Sequence, residues 1–88
     1  TPEFGAGAST FNEVFGRTRN PWNPERTSGG STGGGASALS SGMIAIAEGS
    51  DLGGSLRIPA SFCGLVGLRP SPGLVPTHPT EWLWDELS

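Results

Sequence analysis

The apolar residues of this chain are unevenly spread, and their pattern divides it into three zones. Residues 1–26 carry scattered apolar side chains among polar ones, with turn signals at Asn20-Pro21 and Asn23-Pro24. This zone predicts irregular backbone with room for one short strand. Residues 27–54 are rich in Gly, Ser and Ala, as flexible linkers also are. Apolar residues interleaved with the small ones predict tight packing there instead: Ala36, Ala38, Leu39, Met43, Ile44, Ile46 and Ala47.

The middle zone predicts one helix and one strand. Small residues from Gly34 to Ser41 fit a helix, and Gly42 is suited to end it. Met43 to Ala47 is short and apolar, which predicts a buried strand. Residues 48–51 then turn the chain.

The last zone predicts a second helix, a second strand and a loop. Pro59 suits the first turn of a short helix that ends at Phe62. Leu65 to Leu68 is apolar enough for another buried strand, and repeated prolines from Pro70 onward impose a loop. Because helices alternate with strands, the predicted fold class is α/β.

Composition excludes several classes of partner for this segment. The net charge of −3 is spread over 88 residues without a block of either sign, so we expect neither nucleic acid nor an anionic membrane surface as partner. Apolar runs fall far short of the roughly 20 residues that span a bilayer, and no signal-peptide pattern is present. We therefore expect a cytoplasmic location. One cysteine and one histidine exclude an internal disulfide and a Cys/His zinc cluster within the chain.

Two glycine-serine turns carry the candidate chemistry: the first serine turn, residues 28–34, and the second serine turn, residues 51–57. In each, glycines allow unusual backbone geometry and close approach of a ligand to a hydroxyl. A hydroxyl nucleophile needs an accessible Oγ and backbone N–H groups that hold the oxyanion formed on attack at a carbonyl. Gly53, Gly54 and Ser55 can supply both.

Phosphate binding is the alternative chemistry for these turns. A P-loop requires a Gly-Lys-Ser/Thr ending, and all five basic residues of this chain are Arg. A dinucleotide-binding turn should follow a strand and have an acidic residue about 20 positions later. Asp51 lies close to that distance, but residues 20–28 are rich in turn formers and are poor candidates for the strand. A non-enzymatic phosphate-binding module is therefore the weaker alternative.

Read together, several ordered segments resemble the signature region of the amidase signature family. They are Asn20-Pro21-Trp22, residues 28–34, residues 49–64 and Val66-Gly67-Leu68-Arg69-Pro70. The likeness runs from Thr1 to about Pro76, and a long ordered string of glycines and serines makes it specific. It implies a section of a mixed β-sheet flanked by helices.

The resemblance also implies a catalytic triad of two serines and a lysine. Ser55 would attack the substrate, and Ser31, preceded by a cis peptide bond, would relay protons to the lysine. Ser55 follows Ser31 by 24 residues, which agrees with the family's pattern. The oxyanion hole would be formed by the backbone N–H groups of Leu52, Gly53, Gly54 and Ser55. Thr32 stands where many members have a second serine, and it keeps the hydroxyl.

The activity implied is hydrolysis of a small, non-peptide carboxylic amide to an acid and an amine or ammonia. The reaction would pass through an acyl-enzyme on Ser55 and would need no metal or organic cofactor. The A subunit of a glutamine-dependent tRNA amidotransferase is similar in this region and is the main alternative. Ile58 argues mildly against that alternative, because that branch usually has Gln at this place.

The lysine of the triad has no counterpart here, since the chain contains no Lys. In the family it precedes the first catalytic serine, so we expect it upstream of Thr1. Residues 1–88 are accordingly expected to be part of an amidase signature domain cut at both ends, and to be inactive alone. A homodimer is compatible with the resemblance for the full-length protein, but these residues fix neither the oligomeric state nor the substrate.

Each candidate residue also has a structural interpretation. Serines commonly cap helices, so Ser55 and Ser31 could be capping or turn residues. Asp51 and Arg57 are predicted to support the site by holding the second serine turn together. Cys63 is predicted to be a buried, inert thiol, since no histidine lies near it in sequence. His78, in the proline-rich part, is predicted to lie in a surface turn and not in a Ser-His-Asp triad. Trp82 and Trp84 follow it, and they either line an acyl pocket or pack under a loop.

Overall fold

The computed structural model describes residues 1–76, in which two β-hairpins precede two helices. A single turn of 3-10 helix, Glu3–Gly5, comes before the first hairpin. The described part ends in a loop, with a turn closed by the hydrogen bond from Leu74 N–H to the Ser71 carbonyl at 3.1 Å. This loop is the one that the prolines predict. His78, Trp82 and Trp84 lie outside the described residues.

Both hairpins are short and antiparallel. Strand β1 (Phe11–Asn12) pairs with β2 (Gly16–Arg17), and β3 (Arg19–Asn20) pairs with β4 (Asn23–Thr27). An asparagine closes each turn: the Asn12 side chain accepts from Phe15 N–H at 2.7 Å, and the Asn20 side chain accepts from Trp22 N–H at 3.0 Å. The expectation of irregular backbone was therefore wrong for this zone. The Asn20-Pro21 signal lies at the turn of the second hairpin, whereas Asn12, which closes the first, is not followed by a proline.

The two helices lie close to the predicted positions. Helix α1 spans Gly33–Ser40 and α2 spans Arg57–Cys63. After α1, Gly42 has a φ of 75°, and Met43 N–H donates to the Ala38 carbonyl at 2.9 Å. After α2, Gly64 takes the same left-handed conformation and Leu65 N–H bonds the Ala60 carbonyl at 2.8 Å. Both helices thus end in a Schellman motif, in which glycine adopts the positive φ without a Cβ penalty.

The two buried strands expected from the sequence are not formed. Residues 43–47 and 65–68 have no strand structure, and Met43, Ile46, Val66 and Leu68 are 76%, 86%, 98% and 76% exposed. A strand needs a neighbour for its backbone N–H and C=O groups and a second layer over its side chains. Within residues 1–76, no segment supplies either one to these two stretches.

Small side chains form the buried centre, where α1 lies against α2. Ala36 of α1 and Ala60 and Cys63 of α2 are buried, and Ser28, the first residue of the first serine turn, is fully buried. Neither helix in the described part of the chain has the length and apolar character needed to cross a lipid bilayer.

Candidate functional site

The first serine turn connects β4 to α1 and is buried for most of its length. Ser28, Gly29, Gly30 and Ser31 are all buried. The peptide bond between Gly30 and Ser31 is cis, as the sequence predicts. Gly29 has a φ of 77°, and its α-carbon faces α2 so closely that a Cβ there would lie 3.1 Å from Ile58 Cγ2 and 3.2 Å from Pro59 Cα. Glycine is therefore required at this position by both conformation and space.

The second serine turn is folded around the Asp51 carboxylate. Oδ1 of Asp51 accepts from Gly54 N–H at 2.7 Å, and Oδ2 accepts from the N–H groups of Leu56 and Arg57 at 3.1 and 3.2 Å. The Arg57 side chain adds two hydrogen bonds, from Nε at 3.0 Å and from Nη2 at 2.9 Å. Arg69 lies further away, with Nη1 3.8 Å from Oδ1. Asp51 and Arg57 thus hold the turn, in the arrangement that the sequence predicts.

The same contacts determine the charge of Asp51. The Arg57 side chain holds the pKa of the Asp51 carboxyl well below its usual range, and the backbone N–H groups act in the same direction. Burial of the carboxylate opposes them, but less strongly than the Arg57 hydrogen bonds favour the charge. Asp51 is accordingly a fixed negative charge and not a proton donor near neutral pH.

A backbone hydrogen bond joins the two serine turns. Thr32 N–H, next to Ser31, donates to the Ser55 carbonyl at 3.1 Å. The Thr32 side chain also lies directly over Gly49, so closely that a Cβ at Gly49 would collide with Thr32 Oγ1. These contacts bring together the two segments that carry the candidate serines, although Ser31 and Ser55 lie 24 positions apart in sequence.

Neither serine caps a helix. Thr32 is the N-cap of α1 and Leu56 is the N-cap of α2, and neither helix start has a side-chain capping hydrogen bond. The capping interpretation was therefore wrong for Ser31 and Ser55. Within residues 1–76, no hydrogen bond engages the hydroxyl of either serine. Both hydroxyls thus remain available for chemistry.

Of the four N–H groups expected to form the oxyanion hole, one has another partner. Gly54 N–H donates to Asp51, as described above. The N–H groups of Leu52, Gly53 and Ser55 donate no hydrogen bond to any part of residues 1–76. Three of the four N–H groups therefore have no hydrogen-bond partner in the described part of the chain.

A pocket with a volume of about 400 Å³ lies beside the second serine turn. It is lined by Asp51, Leu52, Leu56, Arg69 and Val75, among others, and neither candidate serine lines it. This pocket therefore does not join the two hydroxyls in one cavity.

The strand required by the dinucleotide-binding interpretation does exist, contrary to expectation. Strand β4 (Asn23–Thr27) runs into the first serine turn, and α1 follows it. However, β4 pairs only with β3 among the described residues, in an antiparallel ladder. A dinucleotide-binding turn belongs to a parallel βαβ unit, so this geometry does not match it.

Cys63 and the Asn20-Pro21-Trp22 motif both contribute to the fold at the end of α2. Cys63 is fully buried, and burial raises the pKa of its thiol, as expected for an inert cysteine. At the end of α2, the Cys63 carbonyl accepts from Trp22 Nε1 at 2.8 Å and from Ser40 Oγ at 3.1 Å, while Asn20 Nδ2 donates to the Phe62 carbonyl at 2.7 Å. The motif thus satisfies the last carbonyls of α2, a role that no local sequence pattern indicates.

Comparison with known proteins identifies the family. The sequence model of one family, described as Amidase, matches residues 1–88. The chain belongs to the amidase signature family. The A subunit of glutamyl-tRNA(Gln) amidotransferase from Thermosynechococcus vestitus is 62% identical over 73 residues, which are 83% of this chain and 15% of that protein. The same subunit from Thermotoga maritima is 58% identical over equal shares.

Two solved structures of amidase-type proteins share the fold. The crystal structure of the Thermotoga maritima protein superposes with a TM-score of 0.80 and 57% identity, covering 84% of this chain and 16% of that one. A 6-aminohexanoate cyclic dimer hydrolase bound to its substrate superposes with a TM-score of 0.71 and 48% identity, over 73% of this chain and 13% of that one. The predicted family and the α/β class are thus confirmed. The chain spans about 15% of the length of the curated relatives it matches.

Proposed function

We propose that this chain is the serine-bearing part of an amidase that hydrolyses small, non-peptide carboxylic amides. The observation that best supports the proposal is the hydrogen bond from Thr32 N–H to the Ser55 carbonyl, which ties the two serine turns together. It gives Ser31 and Ser55 neighbouring positions, and their hydroxyls have no structural hydrogen bonds in the described part of the chain. A nucleophile and its proton relay need neighbouring positions and hydroxyls that are not committed to other partners.

In the proposed reaction, Ser55 Oγ attacks the carbonyl carbon of the amide. The Ser55 proton passes to Ser31 Oγ, and the Ser31 proton passes to a lysine supplied from outside this chain. The N–H groups of Leu52, Gly53 and Ser55 hold the oxyanion, which collapses as the C–N bond breaks and the leaving nitrogen takes the proton back from the lysine through Ser31. Water then attacks the acyl ester on Ser55 and gives a proton to the lysine through Ser31. That proton returns to Ser55 Oγ as the ester bond breaks, which releases the acid and restores the hydroxyl.

We further propose that residues 1–88 are part of a larger amidase signature domain. The exposed apolar stretches 43–47 and 65–68 support this, because they have the composition of buried strands without any covering layer among residues 1–76. The small share of the relatives' length that the chain matches supports it too. A cytoplasmic location and a homodimer of the full-length protein complete the proposal. Cell fractionation and analytical ultracentrifugation test these two points.

The proposal is tested by locating the acylated residue in the full-length protein. A fluorophosphonate probe should label Ser55, as found by peptide mass spectrometry, and Ser55→Ala should abolish both labelling and hydrolysis of a small amide. Ser61→Ala, at an exposed serine of α2, is the matched control and should change neither. Labelling at Ser31, Thr32 or Cys63 in place of Ser55 would contradict the proposal.

The A subunit of a tRNA amidotransferase is a second candidate, because two of the relatives described above carry that name at 62% and 58% identity. Ile58 argues for the simpler hydrolase. Its side chain lies between the two serine turns, within 3.1 Å of a Cβ built at Gly29 and 2.8 Å of one built at Gly54, and it offers no polar atom there. Comparing hydrolysis of small amides with glutamine-dependent amidation of glutamyl-tRNA, with and without the other subunits of an amidotransferase, separates the two candidates.

A further inference from the structure

Thr10 lies beneath the first serine turn and is 2% exposed. Its Oγ1 donates to the Gly29 carbonyl at 2.9 Å and accepts from Gly33 N–H at 3.2 Å. These partners flank the three residues Gly30, Ser31 and Thr32. One hydroxyl, 19 and 23 positions away from its two partners, therefore bridges both ends of the segment that carries Ser31.

The backbone beside Thr10 supports the same segment. A Cβ at Gly30 would lie 2.9 Å from the Gly7 carbonyl oxygen and 2.9 Å from Ser9 N, so this stretch of chain lies directly against the turn. A Cβ at Gly33 would collide with Thr10 Oγ1. The contact is close-packed, so a bridging water could not take the place of a lost hydroxyl.

We propose that Thr10 is a positioning residue that fixes Ser31 for proton transfer to and from Ser55. The inference rests on the proposed function, in which Ser31 is the relay. Because the Thr10 hydroxyl both donates and accepts, it sets the separation between the Gly29 carbonyl and the Gly33 amide across the turn. The turn is joined to the Ser55 backbone immediately beyond Ser31, through Thr32 N–H. A shift of the bridged segment therefore changes the distance between the two hydroxyls.

The test replaces the Thr10 hydroxyl without changing the side chain's volume. In the full-length enzyme, Thr10→Val should lower kcat for a small amide about 10- to 100-fold, as misplacement of a catalytic group by about 1 Å does. KM should stay within about twofold, because Thr10 is 2% exposed and so offers almost no surface to a bound substrate. Thr10→Ser keeps the hydroxyl and should recover kcat to within about threefold of the wild type.

A matched control separates positioning from general loss of stability. Ser40→Ala also removes a partly buried hydroxyl hydrogen bond, to the Cys63 carbonyl at the far end of α1. It should lower the midpoint of thermal unfolding and leave kcat unchanged. If Ser40→Ala and Thr10→Val lower kcat equally at equal loss of unfolding temperature, Thr10 is only structural and the inference is wrong.

Two further results bear on the role of Thr10: a Thr10→Val variant that does not fold, and the activities of the serine variants. If Thr10→Val fails to fold, Thr10→Ser decides: retained kcat supports the inference, and a loss of tenfold or more in the folded variant overturns it. Ser31→Ala and Ser55→Ala are measured alongside. If these two keep full activity, the proposed function itself fails. If they lose activity while Thr10→Val keeps its kcat, the role of Thr10 alone is refuted.

Discussion

Asp51 and Arg57 form a bidentate pair in which Arg57 Nε lies 3.0 Å from Oδ2 and Nη2 lies 2.9 Å from Oδ1. The Asp51 side chain is 1% exposed, whereas that of Arg57 is 52% exposed. The carboxylate thus sits inside the second serine turn and the guanidinium covers it from the solvent side. Since the same carboxylate accepts from Gly54 N–H, the pair fixes the backbone immediately before Ser55.

The low pKa of Asp51 predicts a stability that depends on pH. Its pKa in the folded state lies below the unfolded value of about 3.9, so its contribution is complete above that pH and is lost as the pH falls further. In the full-length protein, Asp51→Asn should lower the free energy of unfolding at pH 7. The difference from wild type should shrink below about pH 4. Urea unfolding from pH 3 to pH 8 measures it, with Glu13→Gln in an exposed hairpin turn as the control. A difference that stays constant down to pH 3 would contradict the prediction.

Substitution by alanine should have opposite effects on stability at Gly33 and Gly34, which are adjacent in α1. A Cβ at Gly33 would overlap Thr10 Oγ1 and lie 2.6 Å from Ser28 Oγ, and both of those side chains are buried. Gly33→Ala should therefore lower the free energy of unfolding by about 1 to 3 kcal/mol through overpacking. No atom lies within 4 Å of a Cβ at Gly34, so Gly34→Ala should raise it by about 0.5 to 1 kcal/mol. Chemical denaturation of the two variants measures both, and equal effects would show that the packing at Gly33 is not the cause.

The parts of the fold that local sequence determines could be predicted. The small residues of α1, the glycines that end both helices and the Asp51 turn depend on neighbours within about six positions. Each has a strong local cause, such as the positive φ of Gly42 or a carboxylate that faces the N–H groups ahead of it. The glycines of the two serine turns are local signals of the same kind, whereas the roles of Ser31 and Ser55 stay predictions that rest on the family resemblance.

Most of the failures involve partners that are distant in sequence. Thr10 reaches Gly33 across 23 positions, and Trp22 reaches Cys63 across 41, so no local pattern indicates either contact. The apolar stretch from Met43 to Ala47 has the composition of a buried strand, but composition does not say what would cover it.

Substitution of Trp22 should lower the stability of the fold without affecting the reactivity of Ser55. Its Nε1 donates to the Cys63 carbonyl at 2.8 Å, although most of its ring is exposed. Trp22→Phe keeps an aromatic ring and removes the donor, so the free energy of unfolding should fall by about 0.5 to 1.5 kcal/mol. Labelling of Ser55 by the fluorophosphonate probe should be unchanged. Phe15→Leu, at another exposed aromatic, is the control and should leave stability within about 0.5 kcal/mol of wild type. A loss of labelling in Trp22→Phe would show that the motif acts on the site.

The 88-residue chain expressed alone should have no amidase activity. In the proposed mechanism a base must take the proton from Ser31, and all five basic residues of this chain are Arg, whose pKa above about 12 excludes that role near neutral pH. Asp51 is held by Arg57 and by three backbone N–H groups, so it is not available as the base. The measurement is turnover of a small amide by the purified chain, with its Ser55→Ala variant as the control for contamination. Turnover well above that control would show that the proton acceptor lies within these residues, and His78 would then be the first residue to substitute.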